Sequence, residues 1–591
     1  MFSNKLDPRL QLALRYQHLF TPGILEPFTV NGDPNRWEVI VEYVEEIQEM
    51  QLVLNIRIYY LNNSFAIVQI NRDDINTLAR YPNVVYISFP EIMSYINIAL
   101  NQICATNIAN PLGIYNLTGR GTLIAIIDTG INYTHPDFIR EDLTSRIRYI
   151  WDQTIIGSPP EGFESGTEYT NEQINIALRE PTREAQLAVV PSEDVIGHGT
   201  AMAGIAAGSG RGSNRQILGV APECELIIVK IGREGGTSAR PTDKDVMLGI
   251  KYVINKARAE NKPVSVLLGV GYNLDAHDGD AILERYIDQM ADVWRSNFVV
   301  GTGNQANKGS HASGTLNPNE TQVVQFFIDS RQITYECSIW KHFVDVIEIV
   351  IESPRGEQTE SLSLFTPNRA FVFGNTLLMV NYSLANIGGT RQEIFVWLQA
   401  EGAAIDPGVW TILIRGVDIL EGDYNIWGSI IEDVDNQTRF LAEDPNITLT
   451  IPSTSRRITS VATFNPLSLQ IAAFSGRGFT SLNQIKPDIT APGVNIMTTS
   501  IREGTLYEAV SGTSAAAAFV AGAYAILMEY GIAQLGEQYL YGESLKLYML
   551  RNARRPVTQA PYPNTQWGYG ILCIEAALNN MRDTLIFIAQ G

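Results

Sequence analysis

Four residues of the 591-residue chain are of types that, brought together, perform acyl transfer. Asp128 closes the apolar run TLIAIID (122–128) and opens an Asp-Thr-Gly turn. His198 stands between two glycines in DVIGHGTAMAGIAAGSG (194–210). Asn304 lies in the Gly-rich VVGTGNQANKGSH (299–311), and Ser514 opens the alanine-rich SAAAAFVAGAYAIL (514–527). A serine hydroxyl is a weak nucleophile until an imidazole takes its proton, and a carboxylate on the other ring nitrogen fixes the useful tautomer. A side-chain amide and a helix-start N–H can together hold the oxyanion that forms. Singly, each residue has a plainer explanation. Asp-x-Gly and Gly-Asn are common turn chemistry, a serine at a helix start is an ordinary cap, and a lone histidine is usually structural.

The elements around them alternate. TLIAII (122–127) is a continuous apolar run, the mark of a strand covered on both faces, and ELIIVK (225–230), SVLLGV (265–270) and NFVVGTG (297–303) follow as further strand-like runs. Helix-patterned segments separate them: HGTAMAGIAAG, DVMLGIKYVINKARAE (245–260) and AILERYIDQMADVWRS (281–296). This predicts an α/β fold with a doubly wound parallel sheet, and function gathers at the carboxyl ends of its strands. The rhythm breaks over 318–432, where short β-rich runs follow one another at intervals of 8–15 residues. These predict an inserted all-β jelly roll. Residues 1–100 form a separate α+β block, with strands over 53–61, 65–70 and 84–90 and a helix over 73–81. The domain plan is therefore 1–100, 101–317, 318–432 and 433–591.

The frames IIDTGI (126–131), GHGTAMAG (197–204), LGVAP (218–222) and SGTSAAA (511–517), in the order Asp, His, Ser, resemble the subtilase family of serine proteases. KPDITAPGVNI (486–496) is similar to a further family stretch. Within the family, IGHGTAMAGIAAGSG, AHDG (276–279), FSGRGFTSLNQIKPD (474–488) and NTQWGYGIL (564–572) resemble the Csp germination proteases of clostridial spores. The resemblance implies a catalytic triad of Asp128, His198 and Ser514 and an oxyanion hole from Asn304 and the Ser514 N–H. It also implies that the stretch containing Leu267, Leu268, Gly269 and Val270 pairs with substrate as an added strand. Block 1–100 becomes a propeptide, cut by the enzyme itself within 95–102 and retained as an inhibitor. The partner becomes a protein substrate such as a spore cortex-lytic zymogen. Competing readings are a general peptidase of the same subgroup and a pseudoprotease that binds a ligand.

Two departures from the family bear on expectation. Ala515, Ala518 and Phe519 stand where the family has Met, Pro and His, at positions that pack the helix. Asp137 matches a family calcium ligand, but the loop GSGRGSNRQ (208–216) carries Arg211 and Arg215. Two cations beside a calcium ion are unfavourable, so no metal or other cofactor is expected and Asp137 is read as a carboxylate bonding turn N–H groups. Trp340, Trp397, Trp410 and Trp427 could line a sugar site in the inserted module, though core packing is the expected role.

Bulk properties set outer bounds. A net charge of −20 argues against nucleic acid or anionic membrane as partner. The start MFSNKLDPRLQLALRYQHLF lacks the pattern of a secretory signal, and no window approaches a membrane span. The expectation is a monomer made in the cytosol and, by resemblance, placed in the spore. Cys104, Cys224, Cys337 and Cys573 lie far apart, and free thiols are expected.

Overall fold

The computed structural model describes residues 5–6, 8–16, 29–30, 33–45, 47–61, 64–88, 98–105, 115–232, 241–383, 390–430, 436–557 and 561–590. It divides into two compact units, 1–96 and 97–591. In the first, Asp33–Tyr43 is the central antiparallel strand, between Phe65–Asn71 and Val84–Ser88. Its inward positions Trp37, Val39, Val41 and Tyr43 alternate with outward ones, as a half-buried strand requires. The strand expected over 53–61 is shorter. Val53 and Leu54 finish the helix Met50–Leu54, which Asn55 ends by turning to φ 49°, and the strand is Arg57–Tyr60. The helix expected over 73–81 is reduced to a 3₁₀ turn at Arg72–Asp74 and one α turn at Ile75–Leu78.

The second unit is built on a nine-stranded sheet. Its strands are β1 (Leu123–Asp128), β2 (Ile147–Asp152), β3 (Thr167–Thr170), β4 (Glu225–Lys230), β5 (Val264–Leu268), β6 (Ser296–Gly301), β7 (Thr459–Asn465), β8 (Gln470–Ile471) and β9 (Ile489–Pro492). Eight lie in the order β8-β7-β6-β5-β1-β4-β2-β3, and β9 pairs with β7. The centre is parallel as expected. The sheet as a whole is mixed, because β3 and β8 fold back antiparallel at the two edges. Every residue of β1 is buried. Leu123, Ala125 and Ile127 pack in one core with helix α2 (Asp243–Ala259). Ile124 and Ile126 pack in the other, with helices α1 (His198–Ala207) and α3 (Thr513–Met528). The expected helix over 281–296 covers only Ile282–Met290, and Ser296 already belongs to β6.

Helix α3 is the axis of that core. The segment Thr513–Gln534 is long and apolar enough to cross a membrane, but it is 94% buried inside the protein. Its alanine-rich face lets α1 and β6 approach closely, which brings three element ends into one place.

The segment between β6 and β7 carries two antiparallel sheets around one shared core that includes Phe326, Tyr335, Trp410 and Ile426. Six strands run in the order His311–Thr315, Asp423–Gly428, Thr334–His342, Arg391–Ala400, Thr376–Tyr382 and Asn368–Phe373. Four run in the order Val346–Glu352, Gly408–Asp418, Thr321–Ile328 and Arg439–Phe440. The strands therefore extend beyond the expected 318–432 at both ends, because His311–Thr315 and Arg439–Phe440 each find a partner inside the module. The expected boundary at 432 itself lies outside the described residues. Trp427 fixes the module to the α/β body, stacked between His277 (4.1 Å) and His311 (5.0 Å). Trp340, Trp410 and Trp427 are buried, so packing accounts for three of the four tryptophans proposed for a sugar site, and only Trp397 is partly exposed.

Two long-range ties follow the chain ends. Cys104 and Cys573 form a disulfide with Cα atoms 5.0 Å apart, across 469 residues of sequence. The expectation of free thiols fails for this pair because Ile574 N–H donates to Ile103 O at 3.0 Å and aligns the two segments. Cys224 and Cys337 are free and buried. In the family-like stretch KPDITAPG, Asp488 receives Lys486 Nζ at 2.7 Å and Ser460 N–H at 2.8 Å on one oxygen, and Lys546 Nζ at 3.0 Å on the other. All three ionised groups are buried, and burial pulls the Lys486 ammonium down to about 8. Removing the carboxylate strands two buried cations. Asp488→Ala is expected to destabilise the catalytic unit by about 3–5 kcal/mol, measured as a lower urea midpoint.

Candidate active site

The site lies where β1, β5 and β6 end and α1 and α3 begin. Asp128 is the last residue of β1 and its side chain is 1% exposed. His198 is the first residue of α1, and its Nδ1 lies 2.8 Å from both Asp128 oxygens. The Asp128 charge raises the imidazole pKa above its ordinary value. Burial opposes the rise, and the Asp128 hydrogen bond and the Asp194 charge add to it. Nδ1 is thus committed to the carboxylate, which leaves Nε2 to exchange a proton.

Asp194 and Thr129 were not picked out as site residues from the sequence, yet they hold this pair in place. Asp194 is buried. One of its oxygens accepts from Gly197 N–H (2.7 Å) and Thr129 Oγ1 (2.9 Å). The other accepts from Thr200 N–H (2.9 Å) and Thr200 Oγ1 (2.7 Å). Thr129 Oγ1 in turn accepts from Gly199 N–H at 2.9 Å. The carboxylate caps the start of α1 and ties it to the turn that carries Asp128. An acidic residue four positions before His198, at an expected helix start, was the available signal.

Ser514 follows Thr513, the first residue of α3, so its N–H is among those with no partner inside the helix. Gly512 N–H donates to Gly493 O at 2.8 Å and sets the approach to the helix. Among the described residues, Ser514 Oγ has no hydrogen bond to His198. Asn304 follows β6. Its Oδ1 accepts from Thr513 N–H (3.1 Å) and Thr513 Oγ1 (3.2 Å), while Gly303 N–H donates to that same Oγ1 at 3.1 Å. With Oδ1 occupied, the amide presents Nδ2 as the donor without a partner among the described residues. A Cβ built on Gly512 would lie 3.6 Å from Nδ2 and 4.0 Å from Ser514 N, so the two donors share one small space.

The four residues assigned to substrate pairing divide. Leu267 and Leu268 are 0% and 1% exposed and face opposite cores within β5. They cannot touch substrate, because both neighbours of β5 in the sheet and both faces are already filled. Gly269 and Val270, beyond the strand end, are half-buried and accessible. Gly269 has a further constraint: a Cβ there would lie 1.7 Å from Asp128 Oδ2, so only glycine lets β5 pass the carboxylate.

Asp137 is buried. Its Oδ1 accepts from Gly212 N–H (2.9 Å) and the Tyr507 hydroxyl (2.8 Å), and among the described residues its Oδ2 has no hydrogen-bond partner. The Arg211 side chain is turned to the carbonyls of Ile139 and Arg140. Among the described residues, no group of three or more His, Cys, Asp or Glu side chains is placed to hold a metal ion.

A subtilase-family model matches residues 119–328 and 436–570, and a Csp protease B prodomain model matches 4–91. The chain belongs to the subtilase family, a family of peptidases. It is similar to the Clostridium perfringens CspB protease, with a TM-score of 0.75 and 30% identity, covering 83% of this chain and 98% of that one. It is 23% identical to the PI-type proteinase of Lactococcus lactis subsp. cremoris over 580 residues, 88% of this chain and 29% of that protein. It is also 23% identical to the minor extracellular protease Vpr of Bacillus subtilis, over 71% of this chain and 47% of that one. The chain thus spans well under two thirds of these two curated relatives.

Proposed function

We propose that this protein is a serine endopeptidase in which Ser514 attacks a peptide carbonyl, His198 takes the hydroxyl proton and returns it to the leaving amine, and Asp128 holds the imidazole. Asn304 Nδ2 and the Ser514 N–H receive the oxyanion. The observation that carries this reading is the Asp128–His198 pair at 2.8 Å, set at the same carboxyl end of the sheet as the Asn304–Thr513 clamp that bears Ser514. Asn304→Ala is expected to lower kcat by about 10²–10³ with little change in KM, and the chain should still fold, with a stability loss of about 1–3 kcal/mol because Thr513 N–H and Oγ1 lose their acceptor.

The match of 4–91 to a Csp prodomain supports reading the N-terminal unit as a propeptide, cut by the enzyme and retained as its inhibitor. Of the window 95–102, residues 95–97 lie outside the described residues, while Ile98–Gln102 is helical with Ala99 and Leu100 buried. A scissile segment must be extended, so we place the cut before this helix. The two-sheet module is read as a jelly roll, and the physiological role as activation of a cortex-lytic zymogen in a germinating spore. Wild type and Ser514→Ala on a denaturing gel test the first step. A fragment of roughly 100 residues from the wild type alone is expected, and uncut chain in both would contradict self-processing.

A further inference from the structure

The chain holds four cysteines, and the fold sorts them into two kinds. Cys224 and Cys337 are free and buried, and burial pushes each thiol up to about 12. The thiolate is the reactive form, so both are inert in exchange. Cys104 and Cys573 form the disulfide, with Cys104 partly exposed and Cys573 buried. Redox chemistry of the cysteines is therefore confined to one bond, and that bond can be reached from the Cys104 side.

The bond joins the two ends of the catalytic unit. Cys104 follows the helix Ile98–Gln102, and Cys573 directly precedes the helix Ile574–Gln590. Leu100 and Ile103 on one side, and Ile574, Ala577 and Leu578 on the other, lie in the same core as α3. Hydrogen bonds add to this packing. Ile574 N–H donates to Ile103 O at 3.0 Å, Gln102 Nε2 to Pro466 O at 3.4 Å, and Arg554 Nη2 to Gln102 O. A cut before Ile98 changes what this segment is. In the uncut chain the backbone continues from both of its ends. After the cut Ile98 stands at a free end, and chain ends fray unless something ties them down. A covalent bond at Cys104 halts the fraying there and keeps Leu100 and Ile103 beside their places in the core.

We propose that the Cys104–Cys573 pair is a redox-sensitive staple that fastens the start of the self-processed catalytic unit to its C-terminal helix. Oxidised, it keeps both ends in the core that carries α3. Reduced, it lets the new start leave that core, and the enzyme inactivates. The step is a thiol–disulfide exchange. A thiolate of a small dithiol attacks Cys104 Sγ, and Cys573 leaves as a thiolate and takes up a proton. The second sulfur of the dithiol then displaces Cys104, which is protonated in turn, and closes a cyclic disulfide. Two electrons pass to the protein, and the dithiol is oxidised. A low-molecular-weight disulfide reverses the exchange, so the state of the staple follows the thiol poise around the protein. The role at a freed end rests on the self-cut proposed above.

The test uses the full chain after self-processing, either kept oxidised or treated with dithiothreitol. Unfolded without reductant, the oxidised chain should take up iodoacetamide only at Cys224 and Cys337. Native treatment with dithiothreitol and then iodoacetamide should label Cys104 and Cys573 instead. Reduction should shorten the half-life of peptidase activity at elevated temperature by at least about 10-fold. Cys104→Ser and Cys573→Ser should start at the reduced half-life and ignore the reductant. The uncut Ser514→Ala chain should lose less unfolding temperature on reduction than the processed wild type. Label at all four cysteines of the oxidised chain, or a half-life that reductant leaves unchanged, would overturn the staple. Equal losses in cut and uncut chains would overturn its tie to the freed end. A wild type that stays uncut on the gel overturns self-processing and the freed-end role with it, while the label count still reads the bond.

Discussion

Ser514→Ala is expected to lower kcat on a peptide substrate by about 10⁶-fold while leaving the catalytic unit folded. Only the hydroxyl is lost, and among the described residues it makes no hydrogen bond to His198 whose removal would disturb the fold. What remains is the oxyanion site and substrate binding, which hold a residual acceleration of about 10³–10⁴ over water. The double variant Ser514→Ala, His198→Ala should be no slower than the single one, since the base has no work without the nucleophile. Single-turnover assays on purified full-length variants measure this. A Ser514→Ala chain that keeps more than a hundredth of the wild-type rate contradicts the role.

Asp128→Asn is expected to cost about 10⁴ in kcat. The asparagine is nearly the same size and still reaches His198 Nδ1, so the geometry should survive. Its amide, however, lets the imidazole settle with the proton on the wrong nitrogen, and the ion that forms loses its counter-charge. The same substitution has a pH signature. Asp128 is the first cause of the raised His198 pKa, and the neutral imidazole is the working base. In the wild type, activity should therefore fall on acidification at a pH above about 6.5, the ordinary histidine value. In Asp128→Asn the acid limb of kcat/KM should move to lower pH while the plateau falls. An acid limb that stays in place would mean that another group sets it.

Much of the site was legible because its parts are local. A buried run ending in Asp128, a glycine-flanked His198 before small residues and Ser514 before a run of alanines each announce an element end, and the structure places each residue there. The strand misread, at Leu267 and Leu268, came from locating the accessible residues two positions too early. A continuous apolar run does not say where the sheet stops covering it, and only the neighbours of β5 do. Asp194 was overlooked because its work is collective: it satisfies the backbone of one helix and the hydroxyl of one turn. The Cys104–Cys573 pair and the contacts of Thr450 with Thr302, Gly271 and Gly303 were invisible for a different reason. Each joins segments distant in sequence, and Thr450 reaches Thr302 only after the chain has completed the whole β module.

The gross plan was readable because its signal is local. A change of period from helical spacing to short β runs marks the inserted module without alignment to anything. The antiparallel edge strands β3 and β8, of four and two residues, carry too little pattern to be told from loops.

The central claim is that Ser514 is a nucleophile activated by His198 and Asp128. Intact-mass analysis after treatment with an alkyl fluorophosphonate tests it most directly, because that reagent forms a stable phosphonate ester with an activated serine hydroxyl. Measured on the self-processed chain freed of its propeptide, the mass should rise by one adduct, mapped to Ser514 by peptide sequencing. The adduct should be absent from Ser514→Ala and from His198→Ala. An unmodified wild-type chain, or an adduct mapped to any other serine, would contradict the account.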